Sequence, residues 1–302
     1  MRITGRWLVL AWLALFPASI PAAHADDLVL DSSSGYTLQG EINGRQLRLL
    51  VDPAASGYII LNPRAASQAG IGWARGFSRT RVGPYELRGR SSTSRISIGG
   101  RVFFDRVTFY DRPFVEGADG RISPELLPYE NVTFRLAAAR PGETVRTIPL
   151  TFTKPGGLFH RLPIANNEIA VGFSLRSRLT TATASAAALL AAQYGSRWSG
   201  LPRSYPVAFG IERSVRLMEL ERPLSLHGFD LSSFLVRTAD NRGNYHLPVD
   251  ARPSDPSEVV VTGMFASNQA PLMTLTIGQD RLASCSSMTF QKSTRQLLLR
   301  CS

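Results

Sequence analysis

Cysteine, lysine and long apolar runs are what this chain has least of. Two cysteines in 302 residues are too few for a disulfide-dense miniprotein or for a cysteine-clustered zinc or iron–sulfur site. Of the 34 basic residues only Lys154 and Lys292 are lysines. The arginines are scattered instead of clustered with aromatics. The formal net charge of +11 therefore describes a cationic surface, and no nucleic-acid partner is expected. No apolar run approaches the roughly 20 residues of a membrane-spanning helix. There is no Gly-x-Ser-x-Gly elbow and no phosphate-binding glycine loop. Beyond the first 25 residues the histidines are His160, His227 and His246, too widely spaced to give a metal motif. Neither a cofactor nor a metal is expected, and a length of 302 residues suggests about two domains.

What is present begins with an address. Arg2 and Arg6 precede an apolar run at 7–16, Pro17 breaks it, and Ala23-His24-Ala25 stands before Asp26-Asp27. A basic start, a short apolar centre and a small-x-small end describe a secretory signal peptide over 1–25, cleaved after Ala25. The chain is expected to be exported, periplasmic or secreted, without stable membrane insertion. Export gives the cysteines a role. Cys285 and Cys301 lie on the two arms of a β-prone hairpin turned at Gln291-Lys292-Ser293-Thr294. In an oxidising compartment they pair as a staple, worth about 3 kcal/mol in the chain-entropy account.

Most of the remaining chain alternates or is apolar in short runs between turn residues, at 36–42, 46–51, 94–98, 101–110 and 132–136. Asn43-Gly44 and Gly99-Gly100 are hairpin turns. Helices are predicted only at 62–69, opened by Asn62-Pro63 and stopped at Gly70, and at 183–194, stopped at Gly195. Pro141, Gly142 and Pro155 mark 137–153 as a connector. Pro248, Pro253 and Pro256 mark 238–257 as an exposed loop. The fold is expected to be mostly β with a few short helices.

The pattern also repeats. Ile42 to Asp52, INGRQLRLLVD, aligns without a gap with Ile164 to Ser174, IANNEIAVGFS, and the apolar positions coincide at Leu47/Ile169, Leu49/Val171 and Val51/Phe173. Further on, Ile96-Ser97-Ile98-Gly99-Gly100 answers to Leu224-Ser225-Leu226-His227-Gly228, and Asn131-Val132-Thr133-Phe134 to Ser287-Met288-Thr289-Phe290. Landmarks in one order twice over imply two copies of one β-rich lobe.

That lobe resembles the aspartic peptidase family, pepsin-like and retropepsin-like. The first copy carries Leu49-Leu50-Val51-Asp52-Pro53-Ala54-Ala55-Ser56, then Ile59-Ile60-Leu61-Asn62, a candidate flap tip at Gly83-Pro84-Tyr85, and Asp119-Gly120-Arg121-Ile122-Ser123. The second carries Val171-Gly172-Phe173-Ser174-Leu175-Arg176-Ser177, then Leu179-Thr180, and Thr276-Ile277-Gly278. The resemblance implies a two-lobed β-barrel fold, with one lobe over 26–155 and the other over 156–302, the latter bearing the 238–257 loop.

In that family two aspartates share a proton and activate one water, since neighbouring carboxylates cannot both ionise. Carried over by position, Asp52 is the first and Ser174 stands where the second belongs. Pro53 replaces a threonine, and Ala54 and Arg176 replace glycines. Arg176 is expected to put a positive charge near Asp52. It and Tyr85, at the flap, are the expected substrate contacts. The departures imply a catalytically degenerate homologue that binds a peptide or protein segment in its interlobe cleft. The alternatives are an active aspartic endopeptidase using water at Asp52, and a structural or assembly protein of the cell envelope.

Overall fold

The structure is a computed structural model that describes residues 27–83, 85–238 and 273–302. The expected signal segment, Pro84 of the expected flap tip, and the expected loop beyond Thr238 lie outside the described residues. Among the described residues no helix is long and apolar enough to cross a membrane.

The chain folds mostly as β-strands. In order they are β1 (Asp27–Asp31), β2 (Thr37–Ile42), β3 (Arg45–Val51), β4 (Ile59–Leu61), β5 (Gly76–Val82), β6 (Tyr85–Ile98), β7 (Arg101–Tyr110), β8 (Gly120–Ile122), β9 (Asn131–Arg135) and β10 (Thr144–Pro149). The second half contributes β11 (Thr151–Thr153), β12 (Gly157–Ile164), β13 (Asn167–Phe173), β14 (Thr181–Thr183), β15 (Ser196–Ala208), β16 (Ile211–Leu226), β17 (Phe229–Arg237), β18 (Thr274–Ile277), β19 (Cys285–Gln291) and β20 (Gln296–Cys301). The helices are short: α1 (Pro63–Gln68), α2 (Ala184–Tyr194) and α3 (Gln279–Leu282), with a 3-10 turn at Pro124–Leu126.

The strands make three sheets. One runs β2-β3-β8-β4-β7-β6-β5, and a further pairing of β2 with β6 closes six of its strands into a barrel. A second runs β11-β12-β13-β18-β14-β17-β16-β15. Apart from β11, its order matches the first, strand for strand, with each number raised by ten. Period-2 burial puts the same positions inside: Leu47, Leu49 and Val51 on β3, and Ile169, Val171 and Phe173 on β13.

The third sheet, β1-β9-β19-β20-β10, joins the halves. At its centre β9 and β19 pair antiparallel, so that Thr133 faces Thr289, its own counterpart, with their hydroxyls 2.9 Å apart. A residue meeting its counterpart is the signature of an approximate two-fold axis. The cysteines pair as expected: Cys285 and Cys301 form a disulfide joining the arms of β19 and β20.

Two expectations need correction. The segment 137–153 is more than a connector, since it contributes β10 and β11. Pro149 is tolerated there because β10 is an edge strand, needing a ladder on one side only. Asn62 opens α1, but its side chain makes no capping bond to the helix; its amide is engaged elsewhere, as described below. The other helix follows the expectation, with the Thr183 hydroxyl accepting from the Ala186 N–H and Gly195 at φ 70° ending it.

Candidate functional site

Two turns follow the equivalent strands β3 and β13. In the first, the Asp52 N–H donates to the Ile122 carbonyl on β8 (3.1 Å), and Oδ1 of its carboxylate accepts from the Ala54 N–H (3.1 Å). In the second, the Ser174 N–H donates to the Ile277 carbonyl on β18 (3.0 Å), and its Oγ accepts from the Arg176 and Ser177 N–H groups (3.2 Å each). The backbone frame is therefore the same in both. A side-chain oxygen closes each turn on its own backbone, as aspartate and serine commonly do.

The frame is tight in the second half. A Cβ on Gly278 would stand 2.6 Å from the Leu179 backbone and 2.8 Å from the Ser177 carbonyl. Thr180 ties the same corner together by accepting from the Gly278 N–H (3.1 Å) and donating to the Asp280 carboxylate (2.9 Å). The ladder places Thr181 and Ala182, and not Leu179 and Thr180, opposite β18 where Ile60 and Leu61 stand opposite β8. From Asp52 to Ile60 is eight positions and from Ser174 to Thr181 is seven, so the second turn is one residue shorter than the first.

What the turns do chemically differs. Asp52 is fully buried, and its Oδ2 accepts from Nη1 of Arg121 at 3.2 Å. Only 13% of the Arg121 side chain is exposed. The expected cation, Arg176, is not the partner of Asp52. It lies one step further out, its guanidinium 5.0 Å from the centre of the Phe114 ring, with the Arg121 guanidinium 4.3 Å from that same ring. Burial pushes the Arg121 pKa down to about 10, against the opposing pull of Asp52, and the neighbouring Arg176 charge pushes the same way as burial. Among the described residues Nε of Arg121 is buried with no hydrogen-bond partner.

Phe114 is the joint between the halves, and Asn62 holds it. The Asn62 amide donates to the carbonyls of Val115 (2.8 Å) and Ala118 (2.9 Å), while its oxygen accepts from the N–H groups of Phe114 (2.7 Å) and Val115 (3.2 Å). From the second half the β15–β16 hairpin brings Phe209 onto this ring (centroids 4.5 Å) and edge-on to Tyr110 (5.0 Å). Phe209 and Gly210 both take positive φ, the tight two-residue turn of a hairpin. The tip is buried with Ile60, Val82, Leu87, Val115 and Ile211 in an apolar cluster of its own.

Beside this plug a cavity of about 860 Å³ remains, within the range of ligand pockets. It is lined from both halves, by Leu50, Ala54, Phe114 and Arg121 on one side and Ser174, Arg176, Arg178 and Thr276 on the other. A smaller cavity of about 470 Å³ lies on the first-half side of Phe209.

The structure thus brings Ser174 and Arg176 to one cavity and buries Asp52 behind its wall. Tyr85 lies at the tip of the β5–β6 hairpin, outside the residues lining either cavity. Its half-exposed ring stands 5.8 Å from the Arg213 guanidinium of the opposite hairpin. Arg121, Asn62, Phe114 and Phe209 were not singled out by the sequence as site residues. The available signal for Arg121 was a charge between Gly120 and Ile122 in a stretch that the resemblance expects to be apolar. His160 and His227, far apart in sequence, meet with their Nε2 atoms 3.2 Å apart. Among the described residues no three metal-ligating side chains cluster.

The chain matches no family model and no curated protein.

Proposed function

We propose that this is an exported aspartic-peptidase-like protein that has lost the peptidase mechanism and binds a peptide or protein segment in the cleft between its two lobes. The lobes correspond to 26–155 and 156–302. The matching strand orders and the matching turns at Asp52 and Ser174 support that reading of the fold. The disulfide accords with export.

The observation that carries the loss of catalysis is the ion pair between Asp52 and Arg121. Water activation needs a carboxylate free to take a proton and a second to give one. Asp52 is enclosed and paired, and Ser174 offers a hydroxyl that cannot act as a base near neutral pH. The open cavity beside them retains apolar walls and hydrogen-bonding side chains suited to an extended segment.

The test is incubation of the cleaved, mature protein with a diverse peptide pool from pH 3 to 8, with Asp52→Asn in parallel, followed by a binding assay on the same pool. The expected result is no cleavage by either protein and saturable binding by both. Cleavage by the unmodified protein alone would restore the endopeptidase reading. A second reading, an assembly component of the envelope with its cleft closed, is favoured by the Phe209 tip seated against Tyr110 and Phe114. It predicts that no peptide in the pool binds.

A further inference from the structure

We propose that the cavity receives a carboxylate, seated at the Arg176 guanidinium where it lies beside Arg121 and Phe114. This deepens the reading of the cleft as a peptide groove, and rests on it, by naming the chemistry of the segment bound.

The first argument is the charge on the walls. Arg121, Arg176 and Arg178 line the cavity, and among the described lining residues Glu116 is the one carboxylate. Asp52 neutralises only Arg121, through a single contact. The second argument is the state of Arg176. Its side chain is exposed to the cavity and stacked over Phe114, and among the described residues no carboxylate pairs with it. A guanidinium held over an aromatic face keeps the edge bearing its N–H groups free for a planar, two-point acceptor.

The third argument is independent of charge counting. Among the described residues Arg121 keeps Nε buried and without a partner, in the cavity wall, on a side chain whose other end already holds Asp52. Two guanidiniums within 5.0 Å of one ring centre repel each other. A carboxylate arriving between ring and solvent would offset that repulsion and accept charge-assisted hydrogen bonds. The neighbours suit a peptide chain in particular. Leu50, Val207 and Phe209 give an apolar lining, and the Ser177 and Tyr205 hydroxyls, 3.4 Å apart, line the same cavity. The carboxylate has two possible sources, an acidic side chain within the segment or its free C-terminus.

Binding is followed by fluorescence anisotropy with degenerate, N-acetylated apolar octapeptides in three forms: amidated with a central Glu, amidated with a central Gln, and central Gln with a free C-terminal carboxylate. An acid form is expected to bind about tenfold more tightly than the Gln amide. The acid form that binds tighter names the source. In Arg176→Gln the preference is expected to fall to within about twofold, with the melting temperature unchanged because the side chain is exposed. Arg101→Gln, roughly 30 Å down β7 from Tyr110 at 3.3 Å per residue, removes the same charge elsewhere and is expected to keep the preference. Equal binding of all three forms by the unmodified protein, or a preference that survives Arg176→Gln, overturns the carboxylate site while leaving the groove intact. Failure of every form to bind instead overturns the groove reading itself.

Discussion

Leu50, Arg121 and Ile60 sit side by side on β3, β8 and β4; Gly172, Thr276 and Thr181 hold the same three ladder positions on β13, β18 and β14. One face is bulky and charged, the other small and neutral. Leu50, Arg121, Thr181 and Thr276 all line the cavity, so at these positions its wall is bulky and charged on one side and small and neutral on the other. A mechanism built on two equivalent carboxylates needs the two faces to be alike. Here the scaffold keeps its approximate two-fold axis and the chemistry across it does not. Each turn is held by one backbone bond to β8 or β18 and by a side-chain oxygen that an acid or an alcohol can supply, so the same frame stands in both halves.

The largest expected effect comes from opening the ion pair that makes the first face different. Arg121→Leu leaves the Asp52 carboxylate buried and unpaired, which costs about 3–5 kcal/mol. Urea melts monitored by tryptophan fluorescence give the loss. Arg121→Leu combined with Asp52→Asn is expected to recover most of it, since the uncompensated charge is then gone. If Arg121→Leu were as stable as the unmodified chain, the pair would be an incidental contact and the contrast between the faces would lose its cause.

The same experiment explains which parts of the structure could be seen in the sequence. The repeat is legible because period-2 burial in β3 and β13 and the matching turn pairs Gly99-Gly100 and His227-Gly228 are local signals, written within a few residues. The helix at 184–194 was legible for the same reason, with its cap and its terminal glycine adjacent to it. Arg121 meets Asp52 across 69 residues, and Asn62 meets Val115 across 53. Such partners are set by strand register and by how one loop lies on another, which no local pattern encodes. Asn62 stands at the helix start, where its commonest local use is as a cap, but its side chain makes the long-range bonds instead. Likewise Pro149 hid β10, because proline weighs against a strand unless the strand is known to be an edge.

A smaller effect separates the turns themselves. Ser174→Ala removes one hydroxyl that accepts two backbone N–H groups at 3.2 Å, and a loss of about 1 kcal/mol is expected. Asp52→Ala at the equivalent position strands the Arg121 guanidinium, and is expected to cost about 3–5 kcal/mol. The pair of truncations, measured on one urea axis, is a direct gauge of the asymmetry. Equal losses would mean that the acid contributes no more than the alcohol does, as a turn-closing oxygen.

The smallest effect lies at another equivalent pair of turns. Gly99-Gly100 joins β6 to β7, and His227-Gly228 joins β16 to β17, with all four residues at positive φ. Only the second carries a titratable ring, edge-on to His160 (centroids 4.6 Å). Burial first, and then the His160 charge, lower the His227 pKa below the usual histidine value. Above the unfolded-state pKa both states are neutral and nothing is gained or lost. As pH falls through that value the unfolded chain takes its proton first, so stability declines until the folded ring is protonated as well. The ring is largely exposed, so the decline is on the order of a few tenths of a kcal/mol after solvent screening. In an NMR titration the His227 midpoint should rise in His160→Ala but stay below that of free histidine, because burial is the larger cause. His227→Gly makes the second turn like the first and should remove this part of the acid-side slope. A midpoint that ignores the loss of His160 would show that the two rings do not meet in solution.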